Sequence, residues 1–549
     1  MSKQSVRFFL WIVILFFGFL LFNAWEKEKS NFNDFTTNDS KVLFDNKDNL
    51  IDHLDVPKYF TKESSFDSNN EVIINTNLFF AKINLHGGDI NFLSLKKYPS
   101  QLNVIDDGVV VFDISDEKYY IAQSGFLNDF GPDSKSFGRC LYSSVKKNYD
   151  MVDGELQLVV VLNYLNEKNV IIEKIYTFKS YSYDINVEYV ITNNGNEIYS
   201  GRMYGLIKQK NRNSKSSFFS SNVTRSYNGC AIYTKEKPYK KLSFDDISSK
   251  SFYDVVNGGW VAMLEHYFLT TWIPAANTNH IYSTEKTGDD FYFIKYLDED
   301  EIFVKPEEVK KVSSILYVGP KIKSMLSKLS KGLDLVIDYG IFWPIASPVF
   351  LLLSGIYSFV GNWGVSIILV TLVIKLLFFH LSSISYRSMG NMKKLQPRLE
   401  ILKNRYKDDK KKFGQAVMEL YKKENVNPLG GCLPILVQIP VFISLYYVLL
   451  ESVELRHAHF IFWINDLSDK DSYYILPIIM SFTMYIQQKL NPPIQDPMQA
   501  KIMAFLPVVF LFLFLQFPSG LILYWIVNNI LSIFQQWFIM KKISDKSAL

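Results

Sequence analysis

The sequence is poor in cysteine and lacks the common motifs of catalysis and phosphate binding. Its 549 residues contain three cysteines, Cys140, Cys230 and Cys432, and no metal-ligand spacing joins them. Cys140 and Cys230 are compatible with a disulfide in an oxidising compartment and equally with two free thiols. A phosphate-binding glycine loop, HExxH and GxSxG are absent, and a net charge of +4 is too small to indicate nucleic-acid binding. The sequence therefore predicts no enzyme, no catalytic residues, no cofactor and no metal site.

Long apolar runs are concentrated at the two ends of the chain. A helix that crosses a hydrocarbon core of about 30 Å needs about 20 mostly apolar residues. The run Phe8–Trp25 follows Lys3 and Arg7 and lacks a small-x-small cleavage site, which predicts an uncleaved signal anchor. In the C-terminal third, uncharged runs broken at Gly361-Asn362 and at Pro518-Ser519-Gly520 predict an interfacial helix followed by five spans.

The distribution of lysine and arginine predicts the orientation of these spans. Residues 382–428 contain twelve Lys and Arg against five Asp and Glu, whereas residues 451–472 contain two against five. Basic loops stay on the cytoplasmic side of a membrane. The lysines at the end of the chain, 541, 542 and 546, fall on the same side as the basic segment. Both termini are therefore predicted to be cytoplasmic.

The segment between the first span and the C-terminal spans has the pattern of a water-soluble all-β domain. Short apolar or alternating runs, such as Glu71–Asn75, Leu156–Leu162 and Tyr183–Tyr189, are bounded by Gly, Asn, Asp and Ser. This pattern is typical of an antiparallel β-sandwich. The preceding residues, 26–70, are rich in Asn, Asp and Ser, as in a linker. Because it has no catalytic motif, we interpret the domain as a structural or docking module.

The basic segment carries two amphipathic helical patterns. Apolar residues recur at helical spacing on either side of a polar turn at 407–410, which indicates an antiparallel helical hairpin with Pro397 at the start of its first arm or at a kink. Its positive charge can be explained by the positive-inside rule alone. It is also compatible with a docking surface for a nascent chain, a ribosome or lipid headgroups. The hairpin is longer than the membrane topology requires. The predicted docking residues are Arg387, Lys393, Lys394, Arg398, Lys403 and Arg405.

Lys375 is a basic residue within a predicted span rather than at its end. It lies twelve residues after Trp363, about 18 Å along a helix, and thus in the cytoplasmic half of the bilayer. A charge there costs at least about 3 kcal/mol unless water or a partner accompanies it, although a lysine stem can also reach the headgroups. The polar residues expected near it are Thr371, Gln438, Trp525, Asn528, Asn529, Ser532, Gln535 and Gln536. Because a polar stripe facing lipid is unfavourable, together they predict a hydrophilic groove open toward the cytoplasm.

Several stretches of the chain resemble a known family. Over residues 333–542 they are NWGVSIILVTLVIK, KKLQPRLE, NPLGGCLPILVQIPVFISLYYVL, SVELR, YYILPIIM, DPMQAKIM and FPSGLILYWIVNN. In order and spacing they resemble the YidC/Oxa/Alb membrane protein insertases. VIINTNLFFAKINLHGGDINFLSLKKYP, at Val72–Pro99, resembles the start of the periplasmic domain of this family in two-membrane bacteria.

The resemblance implies a periplasmic β-super-sandwich and a positively charged membrane groove that receives hydrophilic parts of a substrate. It also implies an insertase and chaperone of the inner membrane, acting alone or with the Sec translocon. The implied partners are nascent membrane proteins, the Sec translocon, the ribosome and the lipid bilayer.

Two departures from the family pattern affect the groove. Lys375 stands where the family usually has arginine, so the charge is kept but the planar five-donor fork is not. Trp525 stands where tyrosine is frequent, so a hydroxyl is lost. The alternative function is a small-solute transporter with Lys375 as its coupling charge. It would be expected to have inverted repeats and intramembrane carboxylates, and neither is visible in the sequence.

The predicted fold is a polytopic α-helical membrane protein with six spans, five of them in an insertase core, and an all-β super-sandwich domain. The predicted segments are a cytoplasmic N-terminus (1–7), a transmembrane signal anchor (8–25), a linker (26–70), the periplasmic domain (71–330), an interfacial amphipathic helix (333–360), span 2 (363–381), the cytoplasmic hairpin (382–427), span 3 (428–450), a periplasmic loop (451–472), span 4 (473–489), a cytoplasmic loop (490–501), span 5 (502–517), span 6 (521–540) and a cytoplasmic tail (541–549).

Overall fold

The computed structural model describes residues 70–102, 108–115, 118–134, 138–211, 227–288, 290–406, 409–424, 426, 433–491 and 497–545. The predicted N-terminus, signal anchor and nearly all of the linker lie outside the described residues, as does Cys432. The described residues divide into two units. The first runs to Asp338 and includes Glu451–Val453, and the second contains Tyr339–Leu450 and the residues from Glu454 onward.

The first unit is an all-β domain with two short helices, which confirms the predicted class. The strands are β1 Glu71–Asn75, β2 Phe79–Asn84, β3 Asp89–Pro99, β4 Gly108–Ile114, β5 Tyr119–Leu127, β6 Asp133–Ser134, β7 Gly138–Arg139, β8 Ser143–Ser144, β9 Asn148–Asp150, β10 Gln157–Leu165, β11 Val170–Lys179, β12 Asp184–Asn193, β13 Tyr199–Lys210, β14 Gly229–Ile232, β15 Lys240–Leu242, β16 Tyr253–Asn257, β17 Val261–Leu264, β18 Phe268–Ile273, β19 Asn279–Thr287, β20 Phe291–Asp298, β21 Ile302–Val304 and β22 Val309–Pro320. The helices are α1 Phe244–Ser249 and α2 Lys323–Leu329.

These strands form two large sheets with a shared apolar core. One sheet has the order β16-β19-β20-β13-β5-β4-β3-β2-β1-β9, and the other β15-β14-β17-β18-β22-β12-β11-β10-β8. Strict alternation of buried and partly exposed residues along β11 explains why it is a strand with one face on the core. Aromatic side chains join the sheets, as where the rings of Phe79 in β2 and Phe178 in β11 lie 6.1 Å apart.

Four of the buried charged side chains of the β-domain contact one another, and we call them the buried ion cluster: Asp89, Asp133, Arg139 and Lys174. Arg139 donates through Nε to Asp133 at 2.9 Å and through Nη2 to Asp89 at 3.0 Å. Lys174, with no exposed surface, donates to the carbonyl of Ser124 at 2.9 Å and pairs with Asp89 at 3.4 Å. Burial lowers the pKa of Lys174 to about 8, although Asp89 opposes that shift.

Both described cysteines are free thiols. Cys230 is fully buried in β14, with its sulfur 3.6 Å from that of Met263, and Cys140 is partly buried after β7. Burial raises the pKa of both thiols far above the usual range. Of the two alternatives that the sequence left open, the structure has the free thiols.

We therefore expect Cys140 and Cys230 to react with iodoacetamide at least about tenfold more slowly in the native chain than after denaturation, because the thiolate is the reactive form. Mass spectrometry of the labelled peptides measures this. After denaturation without a reductant, both peptides should carry the label. Peptides that label only after reduction would contradict the free-thiol state.

The second unit is helical. Its helices are α3 Trp343–Val360, α4 Trp363–Leu377, α5 Phe379–Lys394, α6 Gln396–Arg405, α7 Lys410–Lys423, α8 Leu433–Glu451, α9 Ile475–Leu490, α10 Pro497–Phe514 and α11 Ser519–Asp545. By length and composition, two helices among the described residues could cross a membrane, Gly340–Val360 and Ser519–Lys541, or three if α4 and α5 form one bent span. Two shorter apolar helices are Gln438–Glu451 and Ala500–Phe514. The count of six spans stays a prediction.

Several element boundaries differ from the predicted segments. Helix α4 ends at Leu377 rather than at 381, and the N–H of the next residue, Phe378, bonds to the carbonyls of Ile374 and Leu376. Helix α5 then continues at an angle of 68°. Lys375 therefore lies near the end of its helix, although it was predicted to lie well within a span.

Four other predicted segments also differ from the observed elements. The segment 333–360 consists of 3-10 turns at Leu333–Val336 and Gly340–Phe342 followed by α3. The hairpin segment holds three helices, because the chain breaks at Leu395 before α6 begins with Pro397 in its first turn. Helix α10 begins at Pro497, within the predicted loop, and α11 extends to Asp545, into the predicted tail.

Candidate functional site

The first turn of α4 is held by capping and close packing. Gly361, with a φ of 69°, ends α3, and the side chain of Asn362 accepts from the N–H of Val365 at 3.1 Å to begin α4. The Asn362 amide also donates to the carbonyl of Phe460 at 3.2 Å. A Cβ at Gly364 would lie 2.1 Å from the ring of Phe460. Only glycine fits there, so the position of α4 against this loop is well defined.

The side chain of Lys375, in the last turn of α4, is turned toward α11. It is only 3% exposed, and its ammonium donates to the hydroxyl of Ser532 at 2.6 Å. That hydroxyl in turn donates to the carbonyl of Asn528 at 2.7 Å. The side-chain amide of Gln535 donates to the backbone carbonyl of Lys375 at 3.4 Å. Within the described part of the chain, no carboxylate forms an ion pair with Lys375.

Other polar residues of α11 bind α9. Asn529 is buried and donates to the hydroxyl of Thr483 at 3.0 Å. Gln536, also buried, donates to the side chain of Asn491, just after α9, at 3.3 Å. The polar stripe predicted along the last span thus makes two sets of contacts, one with α4 and one with α9. These contacts satisfy polar groups that would be costly to expose to lipid.

Trp525 lies in an aromatic cluster rather than beside Lys375. Its ring is 4.6 Å from that of Phe442 in edge-to-face geometry, and 6.0 Å and 5.4 Å from those of Phe510 and Phe514. Ser532 follows it by seven residues, about 10 Å along the helix. The indole N–H is buried and has no hydrogen-bond partner among the described residues.

The remaining predicted groove residues have different environments. Thr371 is buried, and its hydroxyl donates to the carbonyl of Ile367 at 2.6 Å, within its own helix. Gln438 in α8 and Asn528 in α11 are half-buried. The structure therefore brings Lys375 to Ser532, whose hydroxyl bonds to the backbone carbonyl of Asn528, and it places Asn529 and Trp525 at two other contacts.

The predicted groove omitted Thr483 in α9 and Asn491 just after it, which both bind α11. Asn491 has an extended backbone, so helical spacing does not relate it to Thr483. The spacing rule that identified the stripe in α11 would therefore not have found the two as a pair. Ser385 in α5, fully buried and with a hydroxyl that has no partner in the described structure, was also omitted. No pattern around Ser385 would have distinguished it.

The six predicted docking residues of the basic segment are all exposed: Arg387, Lys393, Lys394, Arg398, Lys403 and Arg405. Arg398, near the start of α6, pairs at 2.5 Å with Glu424, the residue after α7, so these two helices run in opposite directions. Leu399 and Val417 are buried on the inner faces of the pair. The charges therefore lie on the outer surface of the helix pair, and their role in docking stays a prediction.

Comparisons with known proteins agree on one family. A model of the 60Kd inner membrane protein matches residues 355–546, and a model of the YidC periplasmic domain matches residues 71–352. The chain is 48% identical over 476 residues to the membrane protein insertase YidC of Pseudomonas putida, covering 87% of this chain and 84% of that protein. The insertase of the same name from Ectopseudomonas mendocina is 45% identical over 497 residues, with 87% and 85% covered.

Among solved structures, an active YidC insertase with its first transmembrane domain resolved aligns with a TM-score of 0.40 and 20% identity, over 85% of this chain and 92% of that one. The periplasmic-domain model alone matches half of the chain, and the curated relatives match most of it. The chain therefore belongs to the YidC family of membrane protein insertases.

Proposed function

We propose that this chain inserts membrane proteins into the inner membrane and assists their folding, and that Lys375 is the charge that receives a hydrophilic segment of the substrate. The contact between Lys375 and Ser532 supports this proposal. The Lys375 ammonium is buried near the end of an apolar helix, and the partner it binds is the neutral hydroxyl of Ser532. The Ser532 hydroxyl brings no negative charge to the site, whereas a carboxylate partner would neutralise the ammonium.

The physical task is to carry a polar segment past hydrocarbon, where each unsatisfied backbone group costs several kcal/mol. The polar groups of α4, α9 and α11 shorten the apolar path that such a segment must cross. Acidic side chains of the segment are attracted by Lys375, while the apolar helix of the substrate moves into lipid. The chemistry is non-covalent, and the chain acts as an insertase and chaperone rather than as an enzyme.

The proposed topology has six spans, with both termini in the cytoplasm and the β-domain in the periplasm. In this arrangement the helix pair α6 and α7 faces the cytoplasm. Its exposed basic residues are suited to the ribosome or to lipid headgroups, both of which are negatively charged. We propose the nascent membrane protein as the substrate and the Sec translocon as a partner for part of the substrate range.

Photocrosslinking of a stalled nascent membrane protein tests the proposed function. A photoreactive amino acid at the half-buried Asn528, beside Ser532, should crosslink to the nascent chain. The matched control is the same probe at Phe534, which lies on the exposed side of α11. We expect a yield at least about tenfold higher at Asn528 than at Phe534, because lipid dilutes contacts at the outer face. Equal yields, or no crosslink at either position, would contradict the proposed site.

A further inference from the structure

We propose that Ser532 and Gln535 are positioning residues that fix the place of the Lys375 ammonium between α4 and α11, from where it attracts an acidic segment of the substrate. This inference rests on the proposed function and adds two residues to its site. A lysine ammonium sits on a flexible four-carbon stem and reaches for polar surroundings when it is buried in an apolar helix. Lys375 is nevertheless 3% exposed, so other groups must keep its side chain in place.

Ser532 holds the ammonium itself. Its hydroxyl lies 2.6 Å from the Lys375 nitrogen, and the serine is 2% exposed. The hydroxyl donates its proton to the carbonyl of Asn528 at 2.7 Å, so its lone pairs are turned to accept from the ammonium. An ammonium has three N–H donors, and Ser532 uses one of them.

Gln535 acts on the backbone of the same residue. In the last turn of α4 the carbonyls of Ile374 and Leu376 accept from the N–H of Phe378, and the Lys375 carbonyl between them accepts from Gln535 instead. The Gln535 amide donates to the Lys375 carbonyl at 3.4 Å, just before the 68° change of direction between α4 and α5. The side-chain oxygen of Gln535 is buried and has no partner among the described residues. Gln535 thus stabilises the turn that carries Lys375.

The two contacts have a joint consequence for substrate choice. Ser532 and Gln535 are one helical turn apart on α11 and bind the side chain and the main chain of one residue. Both are uncharged, so they orient Lys375 without neutralising it. Loss of the Ser532 hydroxyl should therefore weaken the attraction for acidic segments and leave the insertion of neutral segments nearly unchanged.

The test compares two substrates that differ only in the translocated tail, which carries aspartates in one and asparagines in the other. The full chain is reconstituted in proteoliposomes, and protease protection of the tail gives the ratio of acidic to neutral insertion. Ser532→Ala should lower this ratio about tenfold or more, as expected for the loss of a hydrogen bond to a charged group. Gln535→Leu should lower it about threefold, since the hydrogen bond is to a neutral carbonyl. Ser532→Thr, which keeps the hydroxyl, should restore the ratio.

Ser366→Ala is the matched control. Ser366 is a fully buried serine of α4 whose hydroxyl donates to the carbonyl of Asn362 at 2.8 Å, and it lies nine residues from Lys375. The ratio should be unchanged in this variant. Equal losses for both substrates in Ser532→Ala would show a purely structural role and overturn the inference.

Lys375→Gln separates the inference from the proposed function. If this variant lowers the ratio and Ser532→Ala does not, the positioning role is wrong while the role of Lys375 stands. If Lys375→Gln leaves the ratio unchanged, the electrostatic step of the proposed function is itself wrong. When both roles hold, adding Ser532→Ala to Lys375→Gln should cause no further loss.

Discussion

Lys375→Glu is expected to abolish insertion of substrates whose translocated segment is acidic, with a loss of about a hundredfold or more. The change places a carboxylate in a buried position where the substrate brings another, and such like-charge contacts cost several kcal/mol. Insertion of the acidic-tailed substrate into proteoliposomes, measured by protease protection, gives the effect. The amount of folded protein should remain near that of the unchanged chain.

Two further variants serve as controls for Lys375→Glu. Lys375→Arg keeps the positive charge and should retain most of the activity. Lys470→Glu reverses the charge at an exposed position of the segment between α8 and α9 and should have little effect. Unimpaired insertion of the acidic substrate by Lys375→Glu would refute the electrostatic role of this residue.

Lys174→Met is expected to destabilise the β-domain by about 3 kcal/mol or more, which corresponds to a decrease in Tm of roughly 6–12 °C. The lysine is completely buried and balances Asp89 and Asp133 together with Arg139. Its removal leaves an uncompensated negative charge in the core, and this loss exceeds the gain from burying a methionine side chain. Near-UV circular dichroism of the full chain in detergent during heating measures the change.

Lys311→Met is the control for this prediction. Lys311 lies on β22, is 65% exposed, and is 3.7 Å from Glu188 on the neighbouring strand. An exposed pair of this kind contributes about 0–1 kcal/mol, so the Tm should change by only a few degrees. Similar decreases for the two variants would mean that the buried ion cluster contributes no more than a surface pair.

The neighbours of Lys375 explain how a lysine can stand where the family usually has arginine. An arginine would supply five donors in a fixed plane and could orient itself against several acceptors. The smaller ammonium has fewer donors, and here the Ser532 hydroxyl provides a fixed acceptor at 2.6 Å. A point charge held by one neutral group is suited to attraction of a carboxylate from several directions. It is less suited to bidentate pairing.

Much of the architecture could be predicted from local patterns. Alternation of apolar and polar residues with a period of two predicts the strands of the β-domain, since one face of a strand is buried and the other faces solvent. Apolar length and the asymmetry of basic residues separate the helical unit from the β-domain. Lys375 could be singled out because a charge in an apolar helix is costly and therefore rare. Each of these inferences depends on residues that are close together in the chain.

The partners of those residues were decided only by the tertiary structure. Lys375 and Ser532 are separated by 157 positions, and Lys174 and Asp89 by 85. Helical periodicity predicts which face of α11 is polar, but it does not predict which helix packs against that face. For this reason Trp525 was expected near Lys375, although its ring packs on Phe442.

The sequence predicted the groove as one set of polar residues. In the structure, the members of this set contact different helices. The sequence by itself determined that the last span carries a polar stripe and that one lysine is buried in an apolar helix. Tertiary packing decided that Ser532 receives the ammonium, that Asn529 binds Thr483, and that the helix of Lys375 ends two residues later at Leu377. The physical reason is that periodicity is a local property, whereas the pairing of two buried polar groups depends on how distant helices pack.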